Sequence, residues 1–201
     1  MKFNVLYADP PWKYKDKRNH SSMGMAESSY PTMELEDIKN LPVQEIISKD
    51  ALLFMWATWP KMPEALEVID AWGFTYTTCA FVWVKLNPTV TNTKVIYPTV
   101  DIYSGLGHWV NGNTEYCLLS RKGKAVTRQD FSIKQVVFWP RGAHSVKPEE
   151  ARVRIDKLVG NKVNKLELFG RELHENWTVL GNEISGKTIQ EDLDEIVGRV
   201  S

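Results

Sequence analysis

Short apolar runs of strand type alternate with amphipathic segments along nearly the whole chain. Seven runs have the length and the β-branched and aromatic content typical of strands. They cover residues 3–8, 51–58, 76–85, 115–120, 136–139, 165–169 and 177–180. Residues 34–40, 63–72 and 148–159 instead repeat their apolar side chains at helical spacing. This alternation predicts a layered α/β sheet.

The chain has 201 residues, of which 43% are hydrophobic. That is enough to bury one sizeable core, so we expect a single domain over residues 1–201. Within it, residues 185–201 are predicted to form a C-terminal helical tail. Ile189, Leu193, Ile196 and Val197 would make one apolar stripe on this helix, to dock on the body of the protein or on a second subunit.

The formal net charge is +0, so any contact with a nucleic acid must come from local basic clusters. One cluster is Lys13, Lys15, Lys17 and Arg18, and the other is Arg121, Lys122, Lys124 and Arg128. Both lie in predicted long loops, at 13–29 and 121–134, and a third such loop spans 87–108. Long loops in a compact domain are usually functional, so all three are expected to surround the active site. Plain solvated loops are the alternative.

Cysteine usage and hydropathy bear on the cellular compartment. Cys79 and Cys117 each lie in an apolar run, away from any CxxC pair. They are expected to be buried free thiols of a reducing compartment. His108 and His144 lack the spacing of metal ligands, so no metal is predicted. No signal segment or membrane-length apolar run is found, which favours a soluble, cytoplasmic protein without a membrane partner.

The string Asp9-Pro10-Pro11-Trp12 directly follows the first strand. A carboxylate and a proline carbonyl at the end of a strand can each accept a hydrogen from an exocyclic amine. The fixed φ angles of the prolines would stiffen the turn, and Trp12 could stack on a nucleobase. The alternative is a simple turn after a strand, with Trp12 packed on the core.

Further segments follow in a fixed order: YPTM, LLFMWAT, FVWVK, GLGHWVNGNTEYCLL, HSVKPEE and LELFGRELHENWTVLGNE. With ADPPW they resemble the DPPW-type adenine methyltransferases, which include the catalytic subunit of the eukaryotic mRNA adenosine methyltransferase and many bacterial and phage DNA methyltransferases. The resemblance implies a Rossmann-like methyltransferase fold, with a mostly parallel sheet and helices on both faces. It also implies S-adenosyl-L-methionine as cofactor, with the catalytic motif preceding the cofactor-binding strand.

The resemblance also implies a role for each matching residue. Asp9 and Pro10 would hold the target amine, within a catalytic turn that also contains Pro11 and Trp12. The cofactor would contact Asp9, Lys147, Phe169, Gly170, Arg171, His174, Asn182 and Glu183. Glu183 stands where the mRNA enzyme has glutamine, and its carboxylate could accept from ribose hydroxyls. The substrate would contact Tyr30, Asn111 and Glu115, and the basic run adds Lys13 and Lys15.

The leading hypothesis is an enzyme that methylates the 6-amino group of adenine in DNA, of bacterial or phage type. The small size and the missing RNA-binding modules favour DNA as the partner. An RNA adenosine methyltransferase with the same site is the alternative, and a catalytically silent scaffold subunit is a second one. A homodimer, or a heterodimer with a related subunit, is also consistent with the resemblance.

Overall fold

One seven-stranded sheet forms the centre of the protein, whose computed structural model describes residues 2–14, 31–107, 109–142 and 146–200. The strands are β1 (Phe3–Ala8), β2 (Ile47–Ala57), β3 (Thr75–Leu86), β4 (Thr114–Lys122), β5 (Val136–Pro140), β6 (Lys165–Leu168) and β7 (Thr178–Leu180). Their order across the sheet is β5-β3-β4-β2-β1-β6-β7. β4 is antiparallel to both of its neighbours, and every other pairing in the sheet is parallel.

Helices cover both faces of this sheet. They are α1 (Leu35–Lys39), α2 (Val43–Ile46), α3 (Met62–Ala71), α4 (Pro98–Asp101), α5 (Glu149–Val159), α6 (Asn182–Ser185) and α7 (Ile189–Val200). One core contains Leu6 and Ala8 of β1 together with buried residues of α1, α2, α3 and α7. The other contains Val5 and Tyr7 together with the buried side of α5. Alternate residues of β1 therefore enter opposite cores, as the two-residue period of a strand requires.

The connections between the strands create a switch point in the sheet at β1. From β1 the chain passes to β2 on one side, and it later returns to β6 on the other side of β1. In α/β sheets of this kind, ligands bind outside the carboxyl ends of the strands at such a switch point. The carboxyl end of β1 leads into Asp9, and the carboxyl end of β6 leads into Phe169. The topology thus brings these two residues to one crevice.

The seven predicted strands and the three predicted helices are all present, within one or two residues at most ends. β2 is the exception, because it begins at Ile47 instead of residue 51. The sequence did not indicate the reversed direction of β4. This reversal places the start of β4, at Thr114, on the same sheet edge as Asp9.

The expectation that all three long loops surround the active site is wrong for residues 121–134. This loop leaves the end of β4, which lies at the edge opposite to Asp9, because β4 runs against β2. The backbone N–H of Lys124 donates to Asp50, near the start of β2, and that of Gln129 donates to Leu158 at the end of α5. The basic residues Arg121, Lys122, Lys124 and Arg128 therefore belong to the far edge. Most of the loop at 13–29, with Lys17 and Arg18, lies outside the described residues.

The predicted apolar stripe of the C-terminal helix packs on the body of the protein. Ile189 and Leu193 of α7 are buried in the same core as Leu6, with Ile196 and Val197 half-buried beside them. Gln190, Glu191, Asp194 and Glu195 on the remaining surface of α7 are exposed, whereas Asp192 is buried. The stripe is thus covered within this chain.

Both cysteines are free thiols, as predicted. The expected burial is confirmed for Cys117, whereas Cys79 is only half-buried, and burial raises the pKa of each thiol. In the described part of the chain, no helix has the length and apolar character needed to cross a bilayer.

Candidate active site

The turn that follows β1 is held by its own backbone and by a crossing segment. The Trp12 N–H donates to the Pro10 carbonyl at 2.8 Å, and the Met33 N–H donates to the Pro11 carbonyl at 2.9 Å. The prolines themselves have no N–H to satisfy. A carbonyl oxygen can accept two hydrogen bonds, so Pro10 keeps capacity for a further donor. The turn therefore presents Asp9 from a fixed backbone.

Trp12 is a core residue, and the expectation that it stacks on a base is wrong. Only 5% of its surface is exposed, and it belongs to the core under α1, α2, α3 and α7. Its indole Nε1 donates to the Trp56 carbonyl at 3.2 Å. The apolar ring and its single donor are both satisfied by the protein interior. Trp12 therefore anchors the turn to the core.

Asp9 belongs to a cluster of four charged side chains on the α5 side of the sheet. Lys147 Nζ lies 2.7 Å from Asp9 Oδ2 and 3.3 Å from Glu115 Oε2. Lys85 Nζ lies 2.5 Å from the other oxygen of Glu115, Oε1. Lys147 comes from the segment before α5, Glu115 from β4 and Lys85 from β3. The four groups form a row of alternating charge that ends at Asp9.

Burial and pairing act in opposite directions on the pKa values of this cluster. Burial raises the pKa of Asp9, and the attraction of Lys147 only partly offsets that rise. Burial also acts to raise the pKa of Glu115, but Lys147 and Lys85 more than offset it and leave that pKa lowered. The two carboxylates likewise raise the pKa of Lys147, against the effect of its burial. Asp9 is therefore the acid of this cluster that is protonated first as the pH falls.

On its other side, Asp9 borders a cavity of about 600 Å³ at the switch point of the sheet. The walls come from the turn after β1, the segment at residues 31–33, the turn after β6, the start of α6 and the segment that leads into α7. The lining residues are Asp9, Pro11, Pro31, Met33, Phe169, Arg171, Gly181, Asn182, Glu183, Gly186, Lys187, Thr188, Ile189, Gln190 and Glu191. An aromatic ring, apolar side chains and groups of both charges thus surround one space.

The turns after β6 and β7 cross at two glycines. The Gly170 N–H donates to the Leu180 carbonyl at 3.0 Å. A Cβ added at Gly181 would lie 2.1 Å from the Gly170 oxygen, and one added at Gly170 would lie 2.3 Å from a Val179 methyl carbon. The backbone of Phe169 has a φ of +64°, a conformation that residues other than glycine rarely adopt. This close crossing directs Phe169 and Asn182 into the cavity.

The wall opposite the sheet is the first turn of α7. The Thr188 N–H donates to Glu191 Oε2 at 2.8 Å, and the Glu191 N–H donates to Thr188 Oγ1 at 3.3 Å. This reciprocal pair is a capping box, which satisfies backbone donors at the start of a helix. Thr188 and Glu191 both line the cavity. The cap therefore shapes the cavity as well as starting the helix.

The predicted cofactor residues divide into two groups. Asp9, Phe169, Arg171, Asn182 and Glu183 line the cavity, and Arg171 Nε lies 3.4 Å from Glu183 Oε1. Among the described residues, Lys147, Gly170 and His174 do not line it. Gly170 supports the turn, as described above, and Lys147 lies on the other side of Asp9. His174 is partly buried beside Glu167, with 4.0 Å between its Nε2 and Glu167 Oε2.

The predicted substrate residues are more dispersed. Glu115 joins the charged cluster. Lys13 pairs with Glu34 instead of lining the cavity, and Asn111 is exposed in the loop before β4. Tyr30 and Lys15 lie outside the described residues.

Sequence reasoning missed two parts of the site. One is Lys85, for which the signal is a lysine at the end of the apolar run FVWVK, since a lysine that is buried is almost always paired with an acid. The other is the cavity wall at residues 186–191, which the sequence predicts only as part of the helical tail. The T-x-x-E spacing of Thr188 and Glu191 was the available signal for that wall.

Comparison with known proteins places the chain among methyltransferases. The MT-A70 family model matches residues 3–183. The type II methyltransferase M.MunI of Mycoplasma sp. is 32% identical over 207 residues, which cover 94% of this chain and 81% of that protein. The Arabidopsis thaliana N(6)-adenosine-methyltransferase MT-A70-like is 30% identical over 92% of this chain but 24% of its own length. The human N(6)-adenosine-methyltransferase catalytic subunit METTL3 is 29% identical over 92% of this chain and 29% of its own length.

These matches agree with the architecture. The seven-stranded sheet with one reversed strand, helices on both faces and a crevice at its switch point is a Rossmann-like methyltransferase fold. The chain spans most of the Mycoplasma protein, but less than a third of the plant and human proteins. With residues 3–183 matched, the chain belongs to the MT-A70 family.

Proposed function

We propose that this protein transfers a methyl group from S-adenosyl-L-methionine to the exocyclic 6-amino group of adenine in DNA. The observation that carries the proposal is the position of Asp9. Its carboxylate directly follows β1 and lies between a cavity of about 600 Å³ and Lys147, with which it forms a partly buried ion pair. A methyl acceptor held at Asp9 would therefore face a donor held in the cavity.

The chemistry of adenine explains why a carboxylate is useful there. The lone pair of the 6-amino nitrogen is delocalised into the ring, so the free base is a poor nucleophile. Acceptors for both amine hydrogens favour a pyramidal nitrogen whose lone pair points away from the ring. Asp9 offers a carboxylate oxygen, and the Pro10 carbonyl keeps acceptor capacity. Positioning by these two groups is the main contribution of the protein to the transfer.

The cavity suits a cofactor that combines an amino acid with an adenine nucleoside. When bound, S-adenosyl-L-methionine supplies a methyl group already activated by a positively charged sulfur. Phe169 offers an aromatic face, Asn182 an amide, and Glu183 a carboxylate able to accept from ribose hydroxyls. Arg171 and Glu191 supply one charge of each sign for a zwitterionic group. We assign the cofactor to these residues.

The choice of DNA follows from the relatives. The match with the Mycoplasma type II methyltransferase extends over 81% of that protein, and the matches with the N(6)-adenosine-methyltransferases extend over less than a third of theirs. The latter names make RNA the competing substrate. A target base in duplex DNA must leave the stack to reach Asp9, and a single-stranded base needs no such step.

The test uses S-adenosyl-L-methionine labelled in its methyl group, with DNA and RNA oligonucleotides of matched sequence. Digestion to nucleosides should recover the label as N6-methyl-2′-deoxyadenosine from DNA, with the Asp9→Ala variant as the inactive control. Label recovered only from RNA would move the assignment to the competing substrate. Absence of label from both, with the cofactor bound, would favour a scaffold role over catalysis.

A further inference from the structure

Lys85 and Glu115 face each other across two neighbouring strands at the active-site edge of the sheet. In the register of β3 and β4, Glu115 is paired with Trp83, and the Lys85 N–H donates to the Asn113 carbonyl at 2.9 Å. The side chains of Lys85 and Glu115 are 21% and 11% exposed. Lys85 Nζ also lies 5.1 Å from the centre of the Trp83 ring. The backbone thus fixes this pair beside the catalytic turn.

The geometry gives Glu115 two cations and Lys147 two anions. Glu115 contacts Lys85 through one oxygen at 2.5 Å and Lys147 through the other at 3.3 Å. Lys147 lies closer to Asp9, at 2.7 Å. With two lysines and two carboxylates, the row is electrically balanced. Lys147 is therefore held at the Asp9 end of the row, while Lys85 holds the Glu115 end.

Removal of the Lys85 charge would change this pairing of Lys147 with Asp9 and of Lys85 with Glu115. One ammonium would then face two partly buried carboxylates, and the row would carry an excess negative charge. Charges in such surroundings interact more strongly than in water, because less solvent screens them. Glu115 would draw Lys147 toward itself, and Asp9 would lose part of its only close cation among the described residues.

We infer that Lys85 is a positioning residue of the methyl transfer, acting through Glu115 to keep Lys147 on Asp9 and Asp9 ionised. This inference rests on the proposed function. Lys85 lies outside the residues that line the cavity and does not contact Asp9. Its removal should therefore change the transfer step and its pH dependence, and leave cofactor binding unchanged.

The ionisable groups that act on the Asp9 carboxylate are Lys147 and Glu115 of the row, together with Arg171, Tyr7, Cys117 and Glu167 outside it. The four outside the row are unchanged in every variant. Burial raises the pKa of the Tyr7 hydroxyl and of the Cys117 thiol, so both are neutral throughout the acid range. Burial raises the pKa of Glu167 as well, but Glu167 pairs with Arg152 outside the row and is the same in all four proteins. A shift of the acid limb between these proteins is thus attributable to the row itself.

The experiment measures kcat against pH, at saturating cofactor and DNA, for four proteins: the unaltered chain, Lys85→Met, Lys85→Arg and Lys85→Met/Glu115→Gln. The acid limb of the Lys85→Met variant should move up by about one pH unit, so that kcat at pH values on this limb should fall by up to roughly tenfold. Lys85→Arg keeps the charge and should retain the original limb. The double variant removes the competing carboxylate as well, so its limb should return toward the original.

Calorimetric titration with S-adenosyl-L-methionine supplies the second readout. Its Kd should stay within twofold in all four proteins. An unmoved acid limb in Lys85→Met, or no return in the double variant, would overturn the inference. If Lys85→Met does not fold, Lys85→Gln replaces it in the same comparison. An unaltered chain that methylates neither DNA nor RNA would instead overturn the proposed function, so the two failures are distinguishable.

Discussion

At the scale of single residues, Asp9 is the side chain on which the proposed chemistry depends. Its carboxyl group is a much stronger acceptor for the amine hydrogens when it is ionised, and burial raises its pKa above the ordinary value. The methylation rate should therefore fall as the pH is lowered through that pKa, at a pH above the value of about 3.9 for free aspartate. Asp9→Asn keeps the shape but removes the charge, and should lower kcat by roughly 10²-fold or more at neutral pH.

The matched control for this prediction is Asp37→Asn, since Asp37 is exposed on α1. It should leave kcat within twofold, and circular dichroism should show both variants folded. A kcat near that of the unaltered chain in Asp9→Asn would refute the assignment of Asp9. So would an acid limb that stays below the range of ordinary carboxyl groups.

At the scale of elements, the start of α7 links helix stability to the cavity. Thr188→Ala removes the hydroxyl of the capping box and should destabilise the fold by about 1 kcal/mol. In a chain of this size that corresponds to a fall in Tm of about 2–4 °C. Because Thr188 and Glu191 line the cavity, the affinity for S-adenosyl-L-methionine should fall as well.

Calorimetry on Thr188→Ser provides the comparison, because serine keeps the hydroxyl that the Glu191 N–H donates to. Thr188→Ser should retain both Tm and cofactor affinity. Equal losses in the alanine and serine variants would show that the methyl group of Thr188, and not the cap, is responsible.

Elements were also the scale at which the sequence was most informative. Each strand contains an apolar run, and each of the three longer helices, α3, α5 and α7, repeats its apolar residues at helical spacing. Local patterns therefore sufficed to locate them. The direction of β4 is set by its neighbours, Leu53 pairing with Ser120 for example, and no local pattern encodes that. The same limit applies to Trp12, because a tryptophan that fills a core and a tryptophan that contacts a ligand look the same in the sequence.

At the scale of the whole molecule, the fold places two arginines, Arg141 and Arg128, at opposite edges of the sheet. Arg141 follows β5 at the active-site edge, where its N–H donates to the Leu86 carbonyl, and its guanidinium lies over the Tyr103 ring at 4.4 Å. Arg128 lies in the loop at the opposite edge, over the Phe131 ring at 4.8 Å. The two arginines thus make the same kind of local contact at opposite ends of the strands.

With a net charge of +0, the proposed binding of DNA must rely on local charges, so position decides which arginine contributes. Arg141→Ala should weaken DNA binding and lower the slope of log Kd against log salt concentration by about one. Arg128→Ala should leave both unchanged, since it removes an equal charge and an equal stacking contact from the far edge. Fluorescence anisotropy with one labelled duplex over a series of salt concentrations measures both. Equal effects of the two substitutions would mean that DNA contacts both edges, and the catalytic crevice alone would then not define the binding surface.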